Sequence, residues 1–322
     1  MKRIISGVKP TGKIHIGNYF GAMKQHVDMQ NDFESFIFIA DLHSLTSEKN
    51  PEALRTQSLE IAKNYLAFGL DPKKTLLFKQ SDIPLVTELA WTLNCITPMG
   101  LLERGHAWKD AKENKKRDPN VGLFDYPVLM TADILLYSAD LVPVGKDQKQ
   151  HIEICRDLAK SFNNLYGETF KIPEEHIVKS VETVPGIDGQ KMSKSYGNTI
   201  EIFSDEDILR KQIMSIVSDS KGIEEPKDPE TCKIFAIYKL FLNENEEKSL
   251  RERYKKGNIG YGEIKKELFK KFMEYFADFR KKYQELSTKE SYILDILEEG
   301  KKKALPIAEA KIIEIRKKVG IL

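Results

Sequence analysis

Short apolar runs alternate with helical patterns through the first two hundred residues, and this alternation limits the folds that the chain can adopt. The runs cover residues 4–8, 36–40, 75–79 and 141–144, and each is predicted to be a buried strand. Strands separated by helices usually pair in parallel, and ligands of parallel sheets bind beyond the carboxyl ends of the strands. The alternation therefore predicts an α/β fold with its site at that end of a mostly parallel sheet.

The segment after residue 50 shows how the helices are bounded. Asn50 is suited to cap a helix, Pro51 fits the first helical position, and Gly69 stands where a left-handed residue ends many helices. Beyond residue 200 the strand patterns stop, and apolar residues such as Ile264 and Leu268 recur every three or four positions. We therefore predict an α/β domain at 1–200, with a helical insertion, and an all-helical domain at 201–322.

Two short motifs, separated by most of the α/β domain, each have the features of half an ATP site. The first, Pro-Thr-Gly-Lys-Ile-His-Ile-Gly-Asn at 10–18, follows the first strand and opens a helix, where backbone N–H groups favour phosphate. The second, Lys-Met-Ser-Lys-Ser at 191–195, supplies two ammonium groups. Together they are suited to hold a triphosphate and to stabilise the negative charge that develops when its α-phosphorus is attacked.

Composition excludes several classes of protein. Of the 322 residues, 41% are hydrophobic, which is enough for a substantial core. No apolar run approaches the roughly 20 residues of a membrane span, and no signal-peptide pattern follows Met1. We therefore expect a cytoplasmic protein with no membrane partner. Its three cysteines, Cys95, Cys155 and Cys232, are far apart, which favours small buried residues over a disulfide framework or a zinc site.

The charge is unevenly distributed, although the net charge is only +2. Residues 251–322 contain 19 Lys and Arg against 12 Asp and Glu. Such a basic segment fits either contact with a phosphate backbone or an ordinary solvated helical surface, and charge alone does not decide between them.

Six segments of the chain resemble the class I aminoacyl-tRNA synthetases, and among them the bacterial-type tryptophanyl-tRNA synthetase family. The segments are residues 6–12, 15–19, 41–43, 126–135, 142–151 and 191–195, which occur in the order and approximate spacing of that family. The match spans nearly the whole chain. It implies a Rossmann-like catalytic domain at 1–200 and an anticodon-binding helical domain at 201–322.

The resemblance implies that the two motifs and the segment after the fourth strand bind ATP. Gly17 suits this role because a side chain there would block close approach of the nucleotide, and His15 and Asn18 can hydrogen-bond phosphate or ribose oxygens. Lys191 and Lys194 match the family's mobile catalytic loop and, with His15 and Asn18, are the implied catalytic residues. The implied ATP-binding residues are Lys9, Pro10, Thr11, Gly17, Asn18, Gly145, Lys146, Asp147, Val184, Lys191, Met192, Ser193, Lys194 and Ser195.

Two positions depart from the pattern of the family or its class. Asn18 stands where the wider class most often has a second histidine, although asparagine is familiar in the tryptophan branch. Lys9 stands where this branch usually has glutamine, so it adds a cation near the nucleotide. Asp147 has two possible roles, since the resemblance places it on the nucleotide and its position also suits a helix cap.

Selection of the amino acid depends on the predicted helix that contains Met130 and Asp133. These residues lie three positions apart, so an apolar surface and a carboxylate project from one helical face. An indole has a single polar group, a donor N–H, which a buried carboxylate can accept. The resemblance assigns this role to Asp133, although an ion pair or cap within the helix is the alternative. The implied tryptophan-binding residues are Asp133, Met130, Tyr126, His43, Val142, Val144, Gln148 and Gly7.

The implied reaction joins L-tryptophan to tRNA(Trp) through a tryptophanyl-adenylate. ATP brings Mg²⁺ with it, and no metal site is expected in the protein itself. Some relatives hold an iron–sulfur cluster on four cysteines of the carboxy-terminal domain. Cys232 is the single cysteine of that domain here, so no cluster is expected. By resemblance, the chain is expected to form a homodimer.

Three alternatives remain open from the sequence. A tyrosine-specific synthetase of related architecture would support ATP–pyrophosphate exchange with tyrosine instead of tryptophan. A small-molecule adenylyltransferase would charge no tRNA. A non-catalytic RNA-binding relative would bind RNA without any exchange activity.

Overall fold

The structure is a computed structural model that describes residues 1–113, 119–145, 148–177 and 184–322. The chain forms two compact units that interleave along the sequence. Unit 1 comprises Met1–Gly12, His26–Lys179 and Leu286–Leu322, and unit 2 comprises Lys13–Gln25 and Ser180–Glu285. The bounds of these compact units differ from the predicted boundary between two domains at residue 200. The predicted division by function at that residue stays a prediction.

Unit 1 contains a five-stranded parallel sheet. Its strands are β1 (Arg3–Val8), β2 (Glu34–Ile39), β3 (Thr75–Lys79), β4 (Leu141–Val144) and β5 (Glu174–Ile177). They are arranged in the order β3-β2-β1-β4-β5, with Ile5 opposite Phe36 and Phe38 opposite Phe78. The α/β fold and the four predicted strands are confirmed. The fifth strand is not among the predictions, because an edge strand with the sequence Glu-Glu-His-Ile has no apolar run.

Helices account for most of the remaining structure. In chain order they are α1 (Ile16–Asn18), α2 (Lys24–Asp28), α3 (Asp41–Ser44), α4 (Pro51–Ala67), α5 (Leu85–Asn94), α6 (Met99–Glu103), α7 (His106–Glu113), α8 (Val121–Leu135), α9 (Lys149–Tyr166), α10 (Glu206–Met214), α11 (Lys233–Tyr238), α12 (Glu244–Lys256), α13 (Tyr261–Ser287) and α14 (Glu290–Val319). A π-helical turn spans Tyr19–Met23, and 3-10 turns span Met29–Asn31, Gln80–Asp82, Lys194–Tyr196 and Lys239–Phe241.

Helix α4 begins and ends as its sequence predicts. The Asn50 side chain accepts hydrogen bonds from the backbone N–H groups of Glu52 and Ala53, at 3.0 and 3.1 Å. Pro51 occupies the first turn, and Gly69 follows the helix with a φ of +96°, a conformation that glycine adopts without strain.

The core of unit 1 lies between the sheet and the helices on one of its faces. Strands β1 to β4 contribute side chains such as Ile5, Phe36, Phe78 and Val142, which pack with residues of α5, α8, α9 and α14. On the opposite face, Ile4 and Leu141 pack with Met29. The alternation of strand side chains between two faces accounts for this division.

Helix α14 joins unit 1, and small residues let it come close to the sheet. A Cβ atom added to Gly300 would lie only 2.0 Å from the carbonyl oxygen of Leu77 in β3. Ala304 and Ala308, which follow at intervals of four, are fully buried. The carboxy-terminal periodicity predicted a helix here, but the helix completes the core of the α/β unit.

Unit 2 is built from helices and loops in its described part. The Tyr19–Met23 turn packs into an aromatic cluster in which Phe20 lies edge-on to Phe241 and Tyr19 edge-on to Phe276, at centroid distances of 5.4 and 5.2 Å. The residues that directly follow the first motif are thereby anchored in the helical unit.

Two sequence expectations concern membranes and cysteines. Within the described residues, every helix is too short or too polar to cross a membrane. All three cysteines are free thiols. Cys155 is buried as expected, but Cys95 is exposed and Cys232 is half-buried, so the expectation of burial is wrong for Cys95, which lies at the carboxyl end of α5.

Candidate functional site

Polar segments follow the carboxyl ends of four neighbouring strands of unit 1. Lys9 directly follows β1, Gln80 directly follows β3, and Gly145 directly follows β4, while helix α3 begins at Asp41, two residues after the end of β2. The chain runs from β1 outwards to β2 and β3 and then returns to place β4 on the other side of β1. Such a reversal opens a crevice at the carboxyl ends of the strands, where ligands of open α/β sheets bind.

Asp133 lies on α8 as a buried carboxylate with side-chain donors on both of its oxygens. Only 2% of the residue is exposed. The Gln80 Nε2 group donates to both oxygens, at 2.8 Å to Oδ1 and 2.9 Å to Oδ2, and His43 Nε2 donates to Oδ2 at 2.8 Å. The partners come from other elements, so the alternative of a cap or ion pair within the helix does not describe this residue.

Gln80 is not among the predicted site residues, although it fixes the orientation of two that are. Its Oε1 accepts from the backbone N–H groups of Leu42 and His43, at 3.1 and 3.3 Å. Because the oxygen faces these donors, the NH₂ group must face Asp133. The signal that could have identified it is its place directly after a buried strand, which it shares with the predicted segments.

The electrostatics of Asp133 reflect this environment. Burial raises the pKa of the Asp133 carboxyl, and the neighbouring charge of Asp41 acts in the same direction. Hydrogen bonds from His43 and Gln80 oppose this effect because they stabilise the ionised form. The site therefore holds a desolvated acceptor that has been oriented in advance.

A second polar chain joins Tyr126 of α8 to Gln148 at the start of α9. Gln148 Oε1 lies 2.9 Å from His151 Nδ1, and Tyr126 Oη lies 2.5 Å from His151 Nε2. With an amide oxygen on Nδ1, that nitrogen carries the proton, and the tyrosine hydroxyl donates to Nε2. Burial raises the pKa of Tyr126, in keeping with a protonated hydroxyl. His151 is a further residue that was not predicted as part of the site.

The apolar candidates lie on one face of the sheet and on α8. Val142 is buried in the core, while Val144 and Met130 are partly buried against it. Gly7 is exposed although β1 is the central strand, and a Cβ atom there would lie 2.5 Å from the Phe38 ring. Glycine therefore lets Phe38 lean over β1 and keeps the space above the strand open.

The residues after β1 contact the loop that follows α3. Lys9 Nζ donates to the hydroxyls of Thr46 and Ser47, at 3.2 and 3.0 Å, and the Ser44 hydroxyl donates to the carbonyl of Pro10 at 3.4 Å. Thr11 is exposed. Lys9 thus connects two loops of unit 1 through these hydrogen bonds.

The segment after β4 is described in part. The Gly145 carbonyl accepts from the backbone N–H of Gln148 at 3.0 Å. Lys146 and Asp147 lie outside the described residues, so their predicted contacts with the nucleotide stay predictions.

Both ATP motifs contribute residues to unit 2, where they contact each other. Ile16 N–H donates to the Ile200 carbonyl at 3.0 Å and Ile202 N–H to the Ile14 carbonyl at 3.1 Å, which joins the first motif to the segment after the second. A Cβ atom on Gly17 would lie 3.6 Å from Met192 Cβ and 2.9 Å from His15 Nδ1. Gly17 and the lysine loop therefore lie close together in unit 2, and their binding of one nucleotide stays a prediction.

His15 is buried at the amino terminus of α1, with 6% of the residue exposed. Burial and the charge of Lys194 lower its pKa to about 4, against the opposing charge of Glu201. The imidazole is therefore neutral near pH 7. Its Nδ1 is buried and has no hydrogen-bond partner within the described part of the chain. Such an atom needs a polar partner when the site is filled.

Lys194 lies on the same side of unit 2 and is half-buried. Burial lowers its pKa to about 8, and the charge of Glu201 acts in the opposite direction. The ammonium form therefore predominates at pH 7, while the neutral form becomes accessible one pH unit above.

Asn198, which was not predicted, organises the Lys191–Ser195 loop. Its Oδ1 accepts from Ser193 N–H at 2.8 Å, and its Nδ2 donates to the Lys191 carbonyl at 3.1 Å. Met192 N–H donates to the carbonyl of Val184 at 3.0 Å, and the hydroxyls of Ser193 and Ser195 lie 2.8 Å apart. Lys191 and Ser195 are exposed.

Asn18 also has a structural contact. Its Oδ1 accepts from the backbone N–H of His15 at 3.2 Å and so closes the first turn of α1. Because the oxygen is used in this way, the side-chain NH₂ group is the part that is suited to a phosphate.

The family follows from this fold and these motifs together with comparison to known proteins. The family model described as tRNA synthetases class I (W and Y) matches residues 1–277, and the chain belongs to this family.

The relatives within the family are named for tryptophan. The tryptophan–tRNA ligase of Fusobacterium nucleatum is 52% identical over 323 residues, which cover 100% of this chain and 99% of the relative. That of Rhodopirellula baltica is 50% identical, covering 99% of each. The crystal structure of tryptophanyl-tRNA synthetase from Campylobacter jejuni complexed with ADP and tryptophan is 51% identical, covers 99% of each chain and has a TM-score of 0.91. The resemblance to bacterial-type tryptophanyl-tRNA synthetases is confirmed.

Proposed function

We infer that this chain ligates L-tryptophan to tRNA(Trp) in protein biosynthesis, with ATP as the energy source. The relatives of about 50% identity, which match over their full length, support this activity. The observation in the structure that carries the choice of amino acid is the buried carboxylate of Asp133, oriented by Gln80 and His43 beside an apolar surface.

Asp133 accepts the indole N–H of tryptophan in this proposal. Val142, Val144 and Met130 provide the apolar contacts, Gly7 leaves room for the ring, and Tyr126, His43 and Gln148 complete the surroundings. Phenylalanine has no donor for this carboxylate, so its binding would gain nothing from the acceptor that Gln80 and His43 orient and would bury it with one acceptor position unfilled. Gln80 and His43 already hold the carboxylate in place, and Gln80 is itself held by the backbone N–H groups of Leu42 and His43. The carboxylate therefore needs little reorganisation when the indole binds.

The first step activates the amino acid. An oxygen of the tryptophan carboxylate forms a bond to the α-phosphorus of ATP, the bond from this phosphorus to the bridging oxygen breaks, and pyrophosphate leaves with the electron pair. Lys191 and Lys194 stabilise the charge on the leaving group, and the His15 Nδ1 and Asn18 NH₂ groups bind phosphate oxygens. ATP brings Mg²⁺, and in the described residues no cluster of three His, Cys, Asp or Glu side chains is placed to hold a metal.

The second step transfers the tryptophanyl group. The 2′-hydroxyl of the terminal adenosine of the tRNA attacks the acyl carbon and gives its proton to the leaving phosphate or to solvent, the mixed anhydride bond breaks, and AMP leaves. The contacts proposed for the nucleotide involve Lys9, Pro10, Thr11, Gly17, Gly145, Lys146, Asp147, Val184, Met192, Ser193 and Ser195.

We further propose that the enzyme works as a homodimer in the cytoplasm and reads the anticodon with residues 201–322. Exposed apolar side chains on unit 1 support the dimer: Trp91, Met99 and Val121 are 71%, 63% and 79% exposed. Asn94 and Asp125, one turn away from Trp91 and Val121, are joined by a hydrogen bond of 2.9 Å. The sedimentation of the intact protein tests this assembly. No iron–sulfur cluster is part of the proposal.

Amino-acid-dependent ATP–pyrophosphate exchange tests the function, with tryptophan and tyrosine as separate substrates. We expect exchange with tryptophan alone. Asp133→Ala should raise the KM for tryptophan roughly 10- to 150-fold, since a hydrogen bond to a charged group contributes about 1.5–3 kcal/mol. Lys194→Ala should instead lower kcat by about two to three powers of ten, as is typical for the loss of one group that stabilises transition-state charge.

Asp110→Asn, on the exposed surface of α7, is the matched control and should behave as wild type. Exchange with tyrosine alone would refute the specificity. Binding of tRNA without exchange would refute the catalytic function, and exchange without charging of any tRNA would indicate a small-molecule adenylyltransferase.

A further inference from the structure

His151 is a buried histidine to which the proposed function gives no part, although it contacts two residues that have one. It lies in the first turn of α9, and 8% of the residue is exposed. Its Nε2 lies 2.5 Å from the hydroxyl oxygen of Tyr126 on α8, and its Nδ1 lies 2.9 Å from Oε1 of Gln148. The rings of Tyr126 and His151 meet edge-on, with centroids 5.2 Å apart. One imidazole therefore joins two of the proposed tryptophan contacts.

The direction of the hydrogen bonds along this chain follows from the Gln148 amide. An amide oxygen can only accept, so the imidazole carries its proton on Nδ1. A neutral ring with its proton on Nδ1 presents Nε2 as an acceptor, and the Tyr126 hydroxyl then donates to it. Gln148 thus fixes the tautomer of His151, and His151 fixes the direction of the Tyr126 hydroxyl. The lone pairs of the Tyr126 oxygen are the part that is suited to a further donor.

Tyr126 and Asp133 lie at opposite ends of one side of the candidate site. Both are on α8, seven positions apart, which corresponds to two turns on one face and about 10 Å along the helix axis. His43 donates to Asp133 Oδ2 at 2.8 Å, and its ring lies edge-on to that of Tyr126 at a centroid distance of 6.4 Å. A tryptophan molecule whose indole N–H meets Asp133 therefore directs its amino-acid end towards Tyr126.

The charged groups at the amino-acid end of tryptophan need different partners. An ammonium group has three N–H donors and no acceptor, whereas a carboxylate has acceptors only. A phenol hydroxyl can face either group, because it both donates and accepts. If its proton pointed at the ammonium, two donors would oppose each other. A fixed acceptor for that proton excludes this arrangement.

We propose that His151 is a positioning residue for tryptophan, which accepts the hydrogen bond of the Tyr126 hydroxyl so that the Tyr126 oxygen meets the substrate ammonium with its lone pairs. Gln148 holds the imidazole in the tautomer that this role requires. The imidazole acts through Tyr126 and does not itself contact the substrate. This inference rests on the proposed function, since it assigns to His151 a part in the binding of tryptophan.

Two amide variants distinguish the two nitrogen atoms of His151. In His151→Gln the side-chain oxygen can reach the place of Nε2 and accept from Tyr126, whereas the shorter amide of His151→Asn ends near the place of Nδ1. In ATP–pyrophosphate exchange, the KM for tryptophan should rise roughly 10-fold in His151→Asn and less than about threefold in His151→Gln. The kcat should change less than KM in both. His106→Asn, at an exposed histidine at the start of α7, is the matched control and should behave as wild type.

Analogues that lack one charged group show whether the effect concerns the ammonium. Tryptamine keeps the ammonium and lacks the carboxylate, whereas indole-3-propionate keeps the carboxylate and lacks the ammonium. As an inhibitor of exchange, tryptamine should bind His151→Asn more weakly than wild type by roughly the factor found for tryptophan. Indole-3-propionate should bind both proteins equally. A merely structural role of His151 would weaken both analogues alike.

A Tyr126→Phe background tests whether His151 acts through the hydroxyl. Without the hydroxyl, His151→Asn and His151→Gln should have the same KM for tryptophan, because the bond that distinguishes them is absent. A difference between the two variants that persists in this background would overturn the proposal.

The tautomer can be measured in the wild-type protein, which keeps the proposal testable if a variant does not fold. Long-range ¹H–¹⁵N correlation spectra distinguish a protonated ring nitrogen from a bare one. The His151 signals are assigned by elimination, after the other members of the six histidines are replaced one at a time. We expect a proton on Nδ1 and none on Nε2.

The outcomes separate this proposal from the proposed function. Absence of exchange with tryptophan by the wild type would refute the function itself. With an active wild type, a proton on Nε2 of His151 would overturn its role as an acceptor for Tyr126. Equal KM values of His151→Asn and His151→Gln, or an equal loss of affinity for the two analogues, would also overturn it.

Discussion

Replacing Gln80 by methionine should uncouple tryptophan recognition from ATP binding. Methionine has nearly the volume of glutamine but makes none of its four contacts, two to the Asp133 oxygens and two from the Leu42 and His43 amides. The Leu42 N–H also donates to Asp41 Oδ1 at 3.0 Å and so keeps one acceptor in the variant, whereas the His43 N–H loses its bond to Gln80. The loss on the carboxylate is about 1.5–3 kcal/mol, and an unsatisfied buried amide costs about 1–3 kcal/mol more in stability.

The first of these terms should appear in the exchange assay as a KM for tryptophan that rises roughly 10- to 150-fold. The KM for ATP should change less than twofold. Gln80→Glu separates the two halves of the side chain, since it keeps an acceptor for the amides but places a second carboxyl group against Asp133. Gln57→Met, the same change on α4, is the control. A folded Gln80→Met protein with an unaltered KM for tryptophan would refute the idea that Gln80 orients Asp133.

Two further predictions concern stability. Gly300→Ala should lower the free energy of unfolding by about 1–3 kcal/mol in urea titration, because its Cβ would lie 2.0 Å from a backbone oxygen of β3. The control Gly262→Ala, whose Cβ would meet no atom within 4 Å, should be neutral or slightly stabilising. Equal effects of the two substitutions would show that the close approach at Gly300 is unimportant. Burial lowers the pKa of His26, between Ser6 and Tyr65, from 6.5 to about 4. The unfolded chain therefore binds the proton more readily, and about 3 kcal/mol of stability present above pH 6.5 should be lost as the pH falls to 4. Unfolding free energies of wild type and His26→Gln between pH 7.5 and 4 measure this, and an equally steep loss in the variant would contradict it.

The elements that could be predicted from the sequence are those whose signals are local. The cap of α4 depends on Asn50, Pro51 and Gly69, which lie within the helix or next to its ends. Strands β1 to β4 are buried apolar runs. Strand β5 could not be found in this way, because an edge position needs few apolar side chains and its pairing with β4 depends on residues about 30 positions earlier.

The candidate site shows a similar limit. The motif residues could be identified by their resemblance to a family, but Gln80 and Asn198 act through partners that only the tertiary structure brings close. Gln80 reaches His43 because β2 and β3 are neighbours in register, with Ile39 opposite Lys79. The periodicity of α14 predicted a helix, but it did not predict that this helix packs on β3. That packing depends on the close approach of Gly300 to the backbone of Leu77.

The packing of α14 on β3 also has a consequence for the order of folding during synthesis. The strand at residues 75–79 emerges from the ribosome more than two hundred residues before Gly300 does. Until then the nascent sheet lacks the helix that covers Leu77, and its apolar surface stays open to other contacts. We expect the α/β unit to depend on chaperones, or on a slow late docking event, more than a domain whose core is contiguous in sequence.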